Sequence, residues 1–438
     1  MTKKKFLTKL LNFISKYKFL SNLFSMFLIL IVIFSNLKLF KKKNSIKGLA
    51  LSPQRFRNDI DILNNASEFS IYKFPMKIQL LLLIPFQEYL YRYKGKYLYP
   101  LEELINVKLT NQKYLSKILN LFFSYFKFIL TPSVGYLQDF DLSRAAKKNG
   151  LKHIALQREN FGIVEKQAND VLSWYNQLEK PSANLIIVHN VSTKTLFQNT
   201  QFAKNSVIKA LGCIRMDNYI DRLKKEIFKK NKLKKTITFF SFATNVGCHL
   251  AEQPKIDAFE KNRGLLNFFK NTHNLVIDFA KKSPEIQVNI KTKWEKNWVD
   301  LILKNWTEFS QDLDFPKNCK VSALDNPHDL MLESDLVIGF NSTTLLEAGL
   351  RDIPVIIPKF DEASTIYADY FDFIEYEDGF KIVEDPKKLH DVIYKSLLNF
   401  NISKEKREIR KNLFQKYVSG MEGQSKERYI ESIMKTII

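Results

Sequence analysis

Three cysteines in 438 residues is few, and Cys213, Cys248 and Cys319 fall at no disulfide or metal-ligand spacing. That argues against a disulfide framework and a zinc module, and it fits a reducing compartment. The first 44 residues carry ten lysines and no acid at all. No small-residue cleavage site follows the apolar run inside them, so a cleaved signal peptide is not expected. The body has no zinc-finger spacing, no RNA-binding signature and no long Arg/Lys block. No nucleic-acid partner is therefore expected. No metal-binding Asp-x-Asp motif is recognised, "DLDF" included, so no divalent metal is expected. Fixed-period repeats and low-complexity linkers are also missing.

A composition of 45% hydrophobic and 26% charged residues is globular. The length suits two ordinary domains plus extras. The formal net charge is +22, and ten of those charges sit in the head, which leaves +12 on the other 394 residues.

Between Lys18 and Lys38 run 19 residues without a charge, "FLSNLFSMFLILIVIFSNL". As a helix this stretch reaches ~28 Å, close to the ~30 Å hydrocarbon core of a bilayer. Six lysines precede it and four follow, so flanking charge selects no orientation. Three readings stay open: a spanning or inserted anchor, a lysine-flanked helix lying on an anionic surface, or a helix buried in the fold.

Beyond the head, strand-like and helical patterns alternate. "SIKGLALS", "FSIYKFP", "FKFILTP", "LKHIALQ", "ANLIIVHN" and "SVIKALG" read as strands. "IQLLLLIPFQEYLYRY", "DLSRAAKKNG" and "IVEKQANDVLSWYNQL" read as helices. After the lysine-rich "DRLKKEIFKKNKLKK" the alternation restarts with "TITFFSFA", "IQVNIK", "CKVSAL", "DLVIGF" and "PVIIP" as strands. The expected fold class is α/β, with two doubly wound Rossmann-like domains and a cleft between them, preceded by an N-terminal hydrophobic helix. The expected boundaries are a membrane-associated head at 1–44, an acceptor-side domain at 45–220 and a linker at 221–235. A donor domain at 236–385 and C-terminal helices at 386–438 complete the chain.

Ligands of such sheets bind beyond the carboxyl ends of the strands. There the segment "GFNSTTLLEAG", Gly339–Gly349, stands out. A buried strand ends, and Asn341, Ser342, Thr343 and Thr344 present hydroxyls and backbone N–H groups at a helix start. A diphosphate would suit them. Glu347 lies one turn on and can accept hydrogen bonds from a ribose or sugar. The plainer alternative is a capping box, Thr344 with Glu347 three residues later.

This segment resembles the donor site of GT-B glycosyltransferases. It is most similar to bacterial surface-polysaccharide enzymes of the CDP-glycerol glycerophosphotransferase and capsule Kdo-transferase type, with UDP-sugar 2-epimerases as cousins. "VIKALGCIRMDNY", "AAKKNGLKHIALQREN" and "PHDLMLESDLVIG" resemble further segments of those enzymes, and together the likeness covers roughly residues 130 to 360. Such enzymes often place Lys-x-His-Pro where this chain has "IKTKW", so the histidine is lost while Lys291 and Lys293 keep the charge. The resemblance implies that Arg215 contacts the donor. His328 lies beside the donor loop, and Asn245 follows a strand where backbone amides can approach a phosphate. The base for an acceptor hydroxyl is expected to be Glu159, which follows a strand, or else Asp139.

The expected activity is transfer of a sugar or polyol phosphate from a CMP-, CDP- or UDP-linked donor to a surface glycan or lipid-linked acceptor. No cofactor is expected. Residues 1–44 would hold the enzyme on the cytoplasmic side of the inner membrane. The alternatives are a nucleotide-sugar 2-epimerase-like enzyme and a non-catalytic glycan- or nucleotide-binding scaffold.

Overall fold

The computed structural model describes residues 3–37, 44–158, 165–225, 234–244, 265–293, 296–310, 314–365 and 379–438. Its strands form two separate all-parallel sheets of six. The first contains β1 (Ile46–Ala50), β2 (Phe69–Lys73), β3 (Phe128–Thr131), β4 (Lys152–Leu156), β5 (Leu185–Val188) and β6 (Val207–Ala210). The second contains β7 (Thr236–Phe240), β8 (Gln287–Lys291), β9 (Cys319–Ser322), β10 (Leu336–Gly339), β11 (Val355–Pro358) and β12 (Lys381–Val383). Strands such as "LIIV", "TITFF" and "VIIP" are buried along their whole length. That is why they read as continuous apolar runs rather than alternating ones: helices cover both faces of a parallel sheet.

Strand order determines where each sheet opens. The first runs β2-β1-β3-β4-β5-β6 and the second β12-β11-β10-β7-β8-β9. Counted from its own first strand, the second sheet has the 3-2-1-4-5-6 order of dinucleotide-binding folds, while the first follows the flavodoxin-like order with one strand added. Each order reverses once, between β1 and β3 in the first sheet and between β7 and β10 in the second. Helices on either side of a reversal leave on opposite faces, so a crevice forms at those strand ends.

The chain divides into two compact units, one of residues 1–160, 172–217 and 422–438, the other of 161–171 and 218–421. The first unit carries α1 (Lys3–Lys16), α2 (Lys18–Ser35), α3 (Arg57–Asn64), α4 (Met76–Leu82), α5 (Gln87–Tyr93), α6 (Glu102–Ile118), α7 (Asn120–Ser124) and α8 (Leu137–Lys148). It also holds α10 (Val191–Gln198), while α9 (Glu165–Gln177) is divided at residues 171 and 172 and α11 (Asp217–Lys224) belongs to the second unit from Asn218 on. In the second unit follow α12 (Leu266–Lys282), α13 (Lys296–Ser310), α14 (Pro327–Glu333) and α15 (Thr343–Ala348). Helices Leu389–Asn399 and Lys404–Tyr417 complete that unit, and helix Ser425–Ile437 returns to the first. Tyr429 and Ile433 of that last helix enter the core formed by Phe128, Ile154 and Leu185. The Asp217 carboxylate accepts from the Ser425 and Lys426 N–H groups and so caps it.

The stretch "IQLLLLIPFQEYLYRY" is not one helix. It breaks into α4 and α5 around a 3-10 turn at Ile84–Phe86. Pro85 has no N–H to donate, and its ring would clash with the Leu81 carbonyl in a continuous helix.

The apolar head is helical and docked. Leu11, Leu28 and Val32 share a core with Leu115, Ile118 and Phe122. The Ser25 hydroxyl donates to the Ile118 carbonyl at 2.8 Å. By length and composition α2 could also cross a bilayer.

Candidate functional site

In the second unit the strand-order reversal lies between β7 and β10, and the loop leaving β10 is the hydroxyl-rich one. Gly339 ends the strand. A Cβ there would stand 2.9 Å from Leu345 Cδ2, so glycine lets α15 fold back tightly onto β10. Asn341 adopts a left-handed conformation at φ +45°, which asparagine tolerates better than most residues. Ser342 is the N-cap of α15, its hydroxyl oxygen accepting from Thr344 N at 3.3 Å and Thr344 Oγ1 at 2.8 Å. Leu345, not Glu347, is therefore the third residue after the cap, and Glu347 is not the acid of a capping box.

Glu347 is instead turned toward its neighbours. Thr343 Oγ1 donates to its Oε1 at 3.4 Å, and Nε2 of His328 lies 3.4 Å from its Oε2. His328 opens α14, where the Asn326 side chain caps the helix by accepting from the His328 and Asp329 N–H groups. The ring of Tyr219 stacks on the His328 imidazole, centroids 4.9 Å apart and planes 27° apart. The Tyr219 hydroxyl donates to the Glu347 carbonyl at 3.0 Å. Burial pushes the Tyr219 phenol well above its ordinary pKa, so it remains a donor. Arg222 pairs with Asp329 beside this group. The structure thus brings together Ser342, Thr343, Thr344, Glu347 and His328, with Tyr219 as a support that sequence reasoning did not single out.

Along the same strand ends, β7 and β8 present a second set. Ser241 follows β7 directly. Its oxygen accepts from Trp298 Nε1 at 3.0 Å and lies 2.7 Å from His273 Nε2. Nδ1 of His273 is 2.6 Å from the Phe269 carbonyl, which can only accept. The ring proton is therefore on Nδ1, and Ser241 donates to the bare Nε2. Burial lowers the His273 pKa to about 3, so the ring stays neutral. No local pattern in the sequence links Ser241 to a histidine 32 residues later.

Lys291 ends β8, and its ammonium donates to the Thr292 carbonyl at 2.5 Å and the Ala323 carbonyl at 3.0 Å. Burial lowers its pKa, and Asp325 opposes that shift. Two of its three donors thus tie the β8 and β9 loops together. Lys293 is exposed on the following loop.

Asp139 and Arg215 belong to the first unit. Asp139 stands at that sheet's reversal point. Ser52, just past β1 and left-handed at φ 46°, donates to its Oδ1 at 2.7 Å, and Gln79 Nε2 does so at 2.5 Å. The Ser52 N–H in turn donates to Gln79 Oε1 at 2.9 Å. Oδ2 has no hydrogen-bond partner among the described residues. Asp139 is buried beside a void of ≈ 10 Å³, room for about one water. Burial raises its carboxyl from 3.8 to about 7, against the lowering effect of the Ser52 and Gln79 bonds. Arg215 lies 3.0 Å from the buried Asp59 carboxylate, which Arg158 also approaches at 3.6 Å. Glu159 and Asn245 lie outside the described residues. Among the described residues no cluster of His, Cys, Asp and Glu is placed to hold a metal ion.

No family model matches the chain, and no curated protein matches it. Solved structures of similar shape include the wall teichoic acid polymerase TagF, at 14% identity, TM-score 0.44, covering 73% of this chain and 75% of that one. The UDP-GlcNAc 2-epimerase of Neisseria meningitidis bound to UDP-GlcNAc gives 13% and 0.48, covering 89% of this chain and 99% of that one. HepE of Anabaena in complex with UDP and glucose gives 13% and 0.43, covering 89% and 100%. Similarity this low carries no weight for function.

Proposed function

We propose that this chain is a membrane-associated transferase. It moves a sugar or polyol phosphate from a CMP-, CDP- or UDP-linked donor to a surface polysaccharide or lipid-linked acceptor on the cytoplasmic side of the inner membrane. The observation that supports this best is the strand order of the second sheet. It has Asn341–Thr344 and Glu347 follow β10, beside the reversal between β7 and β10 where doubly wound sheets take nucleotides, and His328 joins them through its contact with Glu347.

In this reading the hydroxyls of Thr343 and Thr344, the loop N–H groups beside Ser342 and the His328 ring face donor phosphate. Glu347 accepts hydrogen bonds from ribose or sugar hydroxyls. Lys293 and the remaining donor of Lys291 counter the charge that grows on the departing nucleotide. Arg215 and Asn245 make further donor contacts. A carboxylate, Asp139 or Glu159, takes the proton of the acceptor hydroxyl. The acceptor oxygen forms the new bond, and the nucleotide leaves with the electron pair of the bond that breaks. A carboxyl raised to about 7 suits Asp139 to such a role at neutral pH.

The second reading is a nucleotide-binding scaffold without turnover. It is favoured by Lys291, whose ammonium is largely committed to backbone carbonyls.

Calorimetric titration with CMP, CDP and UDP tests the site in the wild type and in a Ser342→Ala/Glu347→Ala double variant. Binding that the double variant loses supports the proposal. No binding of any nucleotide, or binding indifferent to the substitutions, overturns it. Binding without transfer across a panel of donors and acceptors leaves the scaffold.

A further inference from the structure

Helix α2 is built inside out. Its protein-facing stripe is Ser21, Ser25, Leu28 and Val32, two of them hydroxyl residues. Its outward stripe is wholly apolar: Phe19, Leu23, Met26, Phe27, Leu30 and Phe34, from 46 to 71% exposed. At 100° per residue the two stripes fall on opposite sides of the helix. A helix facing water would carry the reverse pattern. Helix α1, packed against α2, exposes Phe6, Leu10, Phe13 and Tyr17, and α6, packed against both, exposes Ile105 and Leu109. Apolar side chains exposed in such number on packed helices mark an interaction site.

Helix α2 is tied to the first unit at its middle and at its C-terminal end. Midway along, Ser25 donates to the Ile118 carbonyl. At the C-cap, Asn36 Nδ2 donates to the Lys73 carbonyl at 3.2 Å, while Lys73 N donates back to Asn36 Oδ1 at 3.1 Å. A helix held along its length against a folded unit cannot cross a bilayer without undocking.

Beside the start of α2 lies an open groove of ≈ 610 Å³. Lys18, Lys113, Lys117 and Lys148 line it with Asn22 and Asn120, and no acid contributes. None of the four lysines pairs with a carboxylate among the described residues. Four lysines and three asparagines, Asn149 being the third, line one opening at the margin of exposed apolar helices, a lining whose charge suits a phosphate group. Phosphate and hydrocarbon meet in that way at the headgroup level of a membrane.

We propose that the first unit sits on the bilayer through α1 and α2 lying in the plane of the membrane, with the lysine groove holding the phosphate headgroup of an anionic phospholipid. This deepens the membrane part of the proposed function and rests on that part, not on the transfer chemistry. The exposed phenylalanines enter the acyl boundary, and Lys4, Lys5, Lys9 and Lys16 of α1 reach headgroups around them.

The full-length protein is sedimented with vesicles of phosphatidylcholine alone, or of phosphatidylcholine and phosphatidylglycerol in equal parts. The comparison is a Lys113→Ala/Lys117→Ala/Lys148→Ala variant, checked for an unchanged melting midpoint. The wild type is expected to prefer the mixed vesicles. The variant should lose on the order of a hundredfold in partition to them, at about fivefold per lysine near the surface. Its binding to neutral vesicles should not change. A variant that binds mixed vesicles as the wild type does overturns the headgroup groove and leaves membrane association standing. Sedimentation with neither vesicle overturns both. Resistance of the bound protein to alkaline carbonate extraction would show that α2 spans, and would overturn the in-plane seat.

Discussion

Nε2 of His328 lies 3.4 Å from Oε2 of Glu347, although the two residues come from different helices on either side of β10. The contact turns an acid that could have been a helix cap into one half of a pair facing the strand ends. Glu347→Gln keeps the shape and removes the charge. Loss of hydrogen bonds to a charged group is expected to weaken nucleotide binding about tenfold to a hundredfold. Calorimetry with the best-binding nucleotide measures it, and an unchanged affinity would remove Glu347 from the site.

Ser342 has a structural job that can be separated from ligand binding. Its oxygen caps α15. Ser342→Ala should cost about 1 kcal/mol of stability, and Ser342→Gly only a few tenths. Urea midpoints of the two variants measure this. A Ser342→Ala midpoint equal to that of the wild type would show that the cap bond contributes nothing to stability.

Asp139 makes a pH-dependent prediction. Its carboxyl titrates near 7 in the folded protein against 3.8 ordinarily. The folded state therefore holds a proton that the unfolded state has released across that interval. Stability falls as pH rises from about 4 to about 7 and then levels off, a loss of up to about 4 kcal/mol. Asp139→Asn removes that slope, so the variant should match the wild type at acid pH and exceed it at pH 8. If Asp139 is also the base, the stabilised variant loses transfer. Urea unfolding at both pH values, with a donor-turnover assay, separates these effects.

Gly48 of β1 allows the Phe128 ring to lie directly across the strand. A Cβ at Gly48 would collide with that ring. Gly48→Ala should cost about 1–3 kcal/mol through overpacking. Adding Phe128→Leu should recover part of it. Denaturant unfolding of the single and double variants checks this, and full additivity would refute the contact.

The strands of both sheets were legible because buried parallel strands have a continuous apolar signature, as in "LIIVHN", "TITFFSFA" and "DLVIGF". Short β12 was not, since three residues, Lys381–Val383, carry too little pattern. The loop at Asn341–Thr344 stood out because hydroxyls ending a buried strand are unusual. Its supports did not. Tyr219 reaches His328 across 109 positions of sequence, and Ser52 reaches Asp139 across 87. Such pairs are set by strand order, which no local periodicity encodes. The same is true of the docked face of α2: its hydropathy is plain in the sequence, but which side touches protein depends on α6 and α7.

Helix Ser425–Ile437 closes the core of the first unit, yet the ribosome makes it only after residues 218–421. While the second sheet is being synthesised, Phe128, Ile154 and Leu185 lack the cover that Tyr429 and Ile433 give them. The two units therefore cannot mature strictly one after the other. The earlier one stays unfinished until the later one has been synthesised, and a chain stopped short of Ser425 leaves an exposed apolar face for chaperones or proteases to read.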